Sequence, residues 1–199
     1  YENYPSKEEM AAELTAKRLG YDFKNDKPYD WYKLSRKKDK TKGIEKYWLA
    51  DHLSHNLGDM MQIDALPDCD FLTYSCPCTD LSIAGHQEGL KWTCKDCGHT
   101  YDPAAYSVEE RYLCPVCGSK HVKSTRSGLL YEVERLLVTA KQNGSLPKYL
   151  LMENVDALVS KKYIDSFNNW LERLENLGYH SYYQVINAKN AGVPQNRKL

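Results

Sequence analysis

The chain has 199 residues, 42% of them hydrophobic, which is enough for one full domain or for one domain and a small module, and excludes disorder along the whole length. Lys and Arg number 27 against 27 Asp and Glu, so the chain as a whole is not a polycation and any nucleic-acid surface must be local. No apolar run approaches the roughly 20 residues of a membrane span, and Tyr1-Glu2-Asn3-Tyr4-Pro5 lacks the basic and apolar parts of a signal peptide; the expectation is a cytoplasmic protein without membrane contact.

Ser6 followed by Glu9 is a capping-box pattern, and good helix formers run on to Leu19 before Gly20, which predicts a helix over 7–19. Residues 21–43 are rich in Lys, Asp and aromatics without a period and read as a loop. Its run Arg36-Lys37-Lys38-Asp39-Lys40 reads as solvated, with phosphate contact as the other reading. Ile44, Tyr47, Trp48 and Leu53 recur at helical spacing before Gly58 and predict a second helix. Phe71-Leu72-Thr73-Tyr74 is an apolar, β-prone run that ends in Ser75-Cys76-Pro77-Cys78, where proline stops further pairing. Tyr149 to Met152 is a similar run ending at Glu153-Asn154, and 182–186 predicts a third strand closing near Asn187. Two amphipathic helices lie between these runs. Leu129, Leu130, Val133, Leu136, Leu137 and Ala140 mark the first, and Ile164, Phe167, Trp170, Leu171, Leu174 and Leu177 the second, stopped by Gly178.

Strands alternating with helices predict an α/β fold with a parallel sheet covered on both faces, whose chemistry gathers at the carboxyl ends of the strands. Cys78 and Glu153 each follow a strand end, so the topology would bring both to one crevice.

Seven cysteines divide into two groups. Cys94-Lys95-Asp96-Cys97-Gly98-His99 and Cys114-Pro115-Val116-Cys117-Gly118-Ser119 are two knuckles, each with a glycine suited to the tight turn that faces both sulfurs and nearby amides toward one ion. Four thiolates predict a closed, structural zinc site built by Cys94, Cys97, Cys114 and Cys117. A redox dithiol needs only one such pair and leaves the second unexplained. His99 and His121 read as surface residues, and zinc would hold together a segment too small for its own core.

Three separated stretches complete an ordered signature. Leu66 through Cys78, Leu150-Leu151-Met152-Glu153-Asn154-Val155, and Asn187-Ala188 through Gly192-Val193-Pro194-Gln195-Asn196-Arg197 resemble the nucleophile, Glu-Asn-Val and Gln-x-Arg segments of the DNA cytosine-5 methyltransferase family, of bacterial or phage type. Arg126-Ser127-Gly128-Leu129-Leu130-Tyr131-Glu132 resembles the helix start on that family's cofactor side, and removing 92–123 would restore the uninterrupted pattern. The resemblance implies a partial Rossmann-like, S-adenosylmethionine-dependent methyltransferase domain over 1–91 and 124–199, with an inserted four-cysteine zinc ribbon at 92–123.

The resemblance further implies Cys78 as nucleophile, Glu153 as the carboxyl at ring nitrogen 3, and Arg197 as the guanidinium at the base oxygen. Asp59 and Met60 would contact the cofactor's adenine, Pro77 and Leu129 would line its pocket, and Ser82 and Gln195 would touch DNA. Duplex DNA is the implied partner, a cognate restriction endonuclease the candidate protein partner, and a monomer the expected state. The residue after the nucleophile, usually Gln in the family, is Thr79, and Cys76 stands where an aromatic is usual and reads as packing. No Gly-rich cofactor turn precedes Asp59, and the chain starts with Tyr1, so the expectation is a fragment inactive in methyl transfer by itself. The competing readings are a transfer-RNA cytosine-5 methyltransferase, or a non-catalytic module whose zinc ribbon grips nucleic acid.

Overall fold

The computed structural model describes residues 4–22, 24–25, 27–36, 43–77, 89–125 and 127–192. They divide between two compact units, 1–64 and 65–199.

In the first unit the capping box forms as the spacing predicts. The Ser6 hydroxyl accepts from the Glu9 amide at 3.2 Å, while the Glu9 carboxylate accepts from the Ser6 amide at 2.7 Å. Helix α1 (Lys7–Ala16) then stops short of the predicted Leu19, because Arg18 turns left-handed at φ 52° and the Leu19 amide closes on the Leu14 carbonyl at 3.0 Å. Gly20 lies beyond this stop at φ +75°, where a β-carbon would come within 3.0 Å of the Trp31 ring.

The loop predicted over 21–43 is partly ordered. Short antiparallel strands β1 (Tyr21–Asp22) and β2 (Lys27–Pro28) lead into a one-turn helix, α2 (Trp31–Ser35). That helix is too short to carry a visible period, yet its signal is local: Asp30 caps it by accepting from the Lys33 amide at 3.0 Å, and Trp31 and Leu34 bury one face. Of the charge run, only Arg36 is among the described residues, and it is exposed.

Helix α3 (Ile44–Ser54) is where the apolar spacing predicts it, but of its apolar residues only Ile44 is buried, and Leu53 is 73% exposed. Met10, Ala11, Leu14, Trp31, Leu34 and Ile44 form the core of this unit, with Leu19 and Trp48 packed against it. Around its rim, Lys17 meets the buried Asp51 carboxylate at 2.5 Å, which raises the lysine's affinity for its proton, and the Trp48 indole donates to Glu13 at 2.6 Å.

The second unit begins with strand β3 (Phe71–Tyr74). The cysteine knuckles lie in a separate antiparallel sheet made of β4 (Trp92–Cys94), β5 (Thr100–Tyr101) and β6 (Val122–Ser124), with β4 in the middle. A 3-10 turn at Ser127–Leu129 starts helix α4 (Leu130–Gln142). Strand β7 (Tyr149–Met152) returns parallel to β3, in register from Phe71↔Tyr149 to Tyr74↔Met152, and helix α5 (Ile164–Leu177) ends at Gly178, φ 109°. This is one β-α-β unit of the expected parallel sheet.

Two expectations are corrected among the described residues. The β3–β7 pair is not covered on both faces: Leu72, Tyr74, Leu150 and Met152 are half-buried, whereas Phe71, Thr73, Tyr149 and Leu151 are exposed. Trp170 of α5 packs edge-on against Tyr74 with ring centroids 6.1 Å apart, so the helix serves the Tyr74 side. Residues 182–186 form no strand. Alternating apolar residues make a strand only when a neighbour supplies the ladder, and here Tyr182 is 93% exposed.

Helix α4 and the cysteine module are joined by buried charge. Arg111, wholly buried in the loop between the knuckles, pairs with Glu134 of α4 at 2.6 Å. Glu134 also accepts from Arg173 of α5 at 2.7 Å, and Arg173 donates to the carbonyls of Ala104 and Tyr106. Alongside, the Tyr112 hydroxyl donates to Glu132 at 2.6 Å. Glu134→Ala would leave two guanidinium groups without their carboxylate in a closed environment. It is expected to lower stability by about 3–5 kcal/mol in urea unfolding, and a loss below about 1 kcal/mol would contradict the network's importance.

Candidate functional site

Because β3 and β7 are parallel and in register, they end together. The Glu153 amide donates to the Tyr74 carbonyl at 3.2 Å, adding one step to the ladder, after which Ser75-Cys76-Pro77 and Glu153-Asn154-Val155 leave the sheet side by side. Asn154 joins them. Its side-chain amide donates to the Cys76 carbonyl at 3.1 Å and to the Cys76 sulfur at 2.9 Å, and its own oxygen accepts from the Val155 amide at 2.9 Å. Cys76 is buried, in keeping with a packing role, and Glu153 is exposed at the same edge.

The floor of this edge is aromatic. The Trp170 indole donates to the Tyr74 hydroxyl at 3.3 Å, and burial pushes the Tyr74 phenol up to about 12, so it stays neutral and adds no charge beneath the two segments. A further tie reaches the start of α4: the buried Ser127 hydroxyl donates to the Pro77 carbonyl, linking Pro77 to the turn that carries the half-buried Leu129.

Of the residues singled out from sequence, Glu153, Pro77 and Leu129 thus belong to one neighbourhood of the second unit. Cys78, Ser82, Gln195 and Arg197 lie outside the described residues. Asp59 and Met60 belong to the first unit, half-buried in a turn that follows Gly58. The Asp59 amide donates to the Lys17 carbonyl at 3.3 Å, and its carboxylate accepts from the Met61 amide at 3.0 Å. Gly58, at φ +85°, is required there, since a β-carbon would sit 2.6 Å from the same carbonyl. Asn154 and Ser127 had no role of their own in the sequence reading. Each lay inside a quoted motif, but a bond that joins positions so far apart in the chain has no local signal.

The second cluster is made of thiols. The four sulfurs of Cys94, Cys97, Cys114 and Cys117 all lie within 4.8 Å of one another, with 3.6 Å between Cys94 and Cys117 and 3.5 Å between Cys97 and Cys114. Gly98 and Gly118 take φ +74° and +69°, the turn that each knuckle needs. Backbone amides point inward: His99 toward Cys97, Ser119 toward Cys117, and Val116 and Cys117 toward Cys114. His99 and His121 are exposed, and His121 is instead turned to Asp96 at 3.2 Å.

Comparison with known proteins gives a consistent picture. The model of a family described as C-5 cytosine-specific DNA methylase matches residues 8–96 and 116–198. The chain is 37% identical over 175 residues to the type II methyltransferase M2.ScrFI of Lactococcus lactis subsp. cremoris, covering 86% of this chain and 39% of that protein. It is 37% identical over 198 residues to the orphan methyltransferase M.SssI of Spiroplasma monobiae, covering 97% of this chain and 42% of that protein. With the orphan methyltransferase M.SPBetaI of Bacillus phage SPbeta it shares 27% identity over 164 residues, 78% of this chain and 36% of that protein. The chain therefore spans about two fifths of the length of the curated relatives it matches.

Asn154→Ala removes both bonds to Cys76. The expected outcome is a loss of about 1–3 kcal/mol in urea unfolding, with faster pulse labelling of Cys76 by iodoacetamide read by mass spectrometry. Unchanged labelling would show that the two segments are held together by something else.

Proposed function

Because this chain belongs to the C-5 cytosine-specific DNA methylase family, we propose that it carries the nucleophile and carboxyl segments of a DNA cytosine-5 methyltransferase, with Cys78 as the attacking thiolate. The observation that supports this most is the common carboxyl edge of β3 and β7, where Asn154 ties the segment leading to Cys78 to the segment bearing Glu153.

Carbon 5 of cytosine is too electron-poor to attack a methyl sulfonium until a thiolate adds at carbon 6. Cys78 forms that sulfur–carbon bond, and the displaced electron pair makes carbon 5 nucleophilic. Glu153 donates a proton at ring nitrogen 3 and accepts from the exocyclic amine, offsetting the charge pushed onto the ring. Arg197 sits against the base oxygen and favours the thiolate form of Cys78. After carbon 5 is methylated, its proton passes to a water base, the freed electron pair expels the Cys78 thiolate, and the proton on ring nitrogen 3 returns to Glu153, which restores the aromatic ring. The base has to leave the duplex to reach these groups, at a cost of a few kcal/mol. Ser82 and Gln195 contact the DNA around it.

S-adenosylmethionine, when bound, supplies the methyl group as a sulfonium. Asp59 and Met60 would hold its adenine, and Pro77 and Leu129 would wall its pocket. The bond from Ser127 to the Pro77 carbonyl supports a common wall for the last two. Duplex DNA is the proposed partner, the proposed state is a monomer, and a cognate restriction endonuclease is a candidate partner protein, with an orphan enzyme as the other reading.

The test uses a polypeptide of the relatives' length bearing this chain, a duplex containing 5-fluorocytosine, and S-adenosylmethionine. Fluorine at carbon 5 cannot leave as a proton does, so a covalent adduct should persist on a denaturing gel and vanish in Cys78→Ser. Glu153→Gln should slow adduct formation by about 10²-fold or more. A wild-type protein that binds the duplex but forms no adduct, or an adduct that survives Cys78→Ser, overturns the assignment.

A further inference from the structure

We propose that Cys94, Cys97, Cys114 and Cys117 bind one zinc ion as four thiolates, and that this ion secures the loop whose Arg111 locks the cysteine module onto α4 and α5. The proposal stands on the module's own geometry and does not depend on the methyltransferase reading.

A tetrahedral site with metal–sulfur bonds of about 2.3 Å has sulfur–sulfur edges of about 3.8 Å. The sulfurs of Cys94 and Cys117 are 3.6 Å apart and those of Cys97 and Cys114 3.5 Å, with all four within 4.8 Å, so one ion fits among them with little movement. These separations are far longer than the roughly 2.0 Å of a disulfide. On binding, each S–H gives its proton to solvent and each sulfur forms one bond to the metal. Four thiols therefore yield a site of net charge about −2 and release up to about four protons, with no oxidation or reduction. The inward amides of His99, Val116, Cys117 and Ser119 offset that charge.

The ion would close both ends of one loop, since Cys97 precedes it and Cys114 follows it. Within that loop the Tyr101 hydroxyl donates to the Arg111 carbonyl at 2.6 Å, and the Arg111 guanidinium lies over the Tyr131 ring of α4 at 5.1 Å as well as on Glu134. On the module's inner side, the indole of the buried Trp92 sits so close to Gly128 that a β-carbon there would come within 3.0 Å of it. The module is thus packed and charge-paired onto the start of α4 rather than held out toward solvent. The family match passes over 97–115, the stretch that contains Arg111.

Elemental analysis of the purified chain should give about one zinc per chain. Titration with a mercurial should release it to a colorimetric zinc chelator. Cys94→Ser should lose the metal, while Cys69→Ser, outside the cluster, should keep it. A folded protein that holds no metal, or one that holds iron with visible thiolate-to-metal absorption, overturns the zinc site. Hydrogen exchange then tests the coupling: stripping the metal should raise exchange across Leu130–Gln142 as well as within the module. Arg111→Met should raise exchange in that helix while keeping its zinc. If α4 remains protected in the stripped protein, the coupling is overturned even where the metal site stands.

Discussion

Parallel strands cannot be joined by a tight turn, so pairing Phe71–Tyr74 with Tyr149–Met152 obliges everything between them to leave the sheet and come back to its starting end. The cysteine module and α4 fill that excursion. Once the strands are in register, their carboxyl ends coincide, and the segments that follow emerge together whatever the length of the detour. The Asn154 side chain on Cys76 and the Ser127 hydroxyl on Pro77 then turn coincidence into attachment. The chemistry proposed for Cys78 and Glu153 depends on that shared edge. A slip of one residue would change which face each side chain meets.

A module that lies between two paired strands must not pull on their sheet. Here it carries its own three-stranded sheet and docks through Arg111, Glu134 and Arg173, with Tyr112 on Glu132 beside them. Buried ion pairs are a costly way to join two elements, because desolvation offsets most of their attraction. They are, however, selective about geometry. A guanidinium that reaches Glu134, the Tyr131 ring and the Ser107 carbonyl together admits one orientation of the loop, which an apolar patch would not enforce.

Much of the architecture was legible because it rests on short-range rules. The Ser6–Glu9 box, the stop at Gly178, the two four-residue strands and the amphipathic faces of α4 and α5 all read directly from spacing. The failures share a cause. Helix α2 was hidden because a single turn has no period, and 182–186 looked like a strand because apolar alternation does not reveal whether a neighbour is there to pair with. The end of α1 moved because Arg18 accepted a left-handed backbone that is usually left to glycine. Coverage of both sheet faces is a property of the assembled layer, and no single strand encodes it.

Residue identity and spacing alone determined which chemistry is available to this chain. They marked four thiols in two knuckles, a carboxyl following one strand, a thiol following another, and the family to which that order belongs. Tertiary structure alone decided what meets: that Asn154 reaches Cys76, that Ser127 reaches Pro77, and that Arg111 crosses from the cysteine module to Glu134. Those pairings join residues far apart in the chain. Local propensity acts over a few residues, so only the closing of the β3–β7 ladder and the packing of α4 and α5 could choose among partners at such a distance.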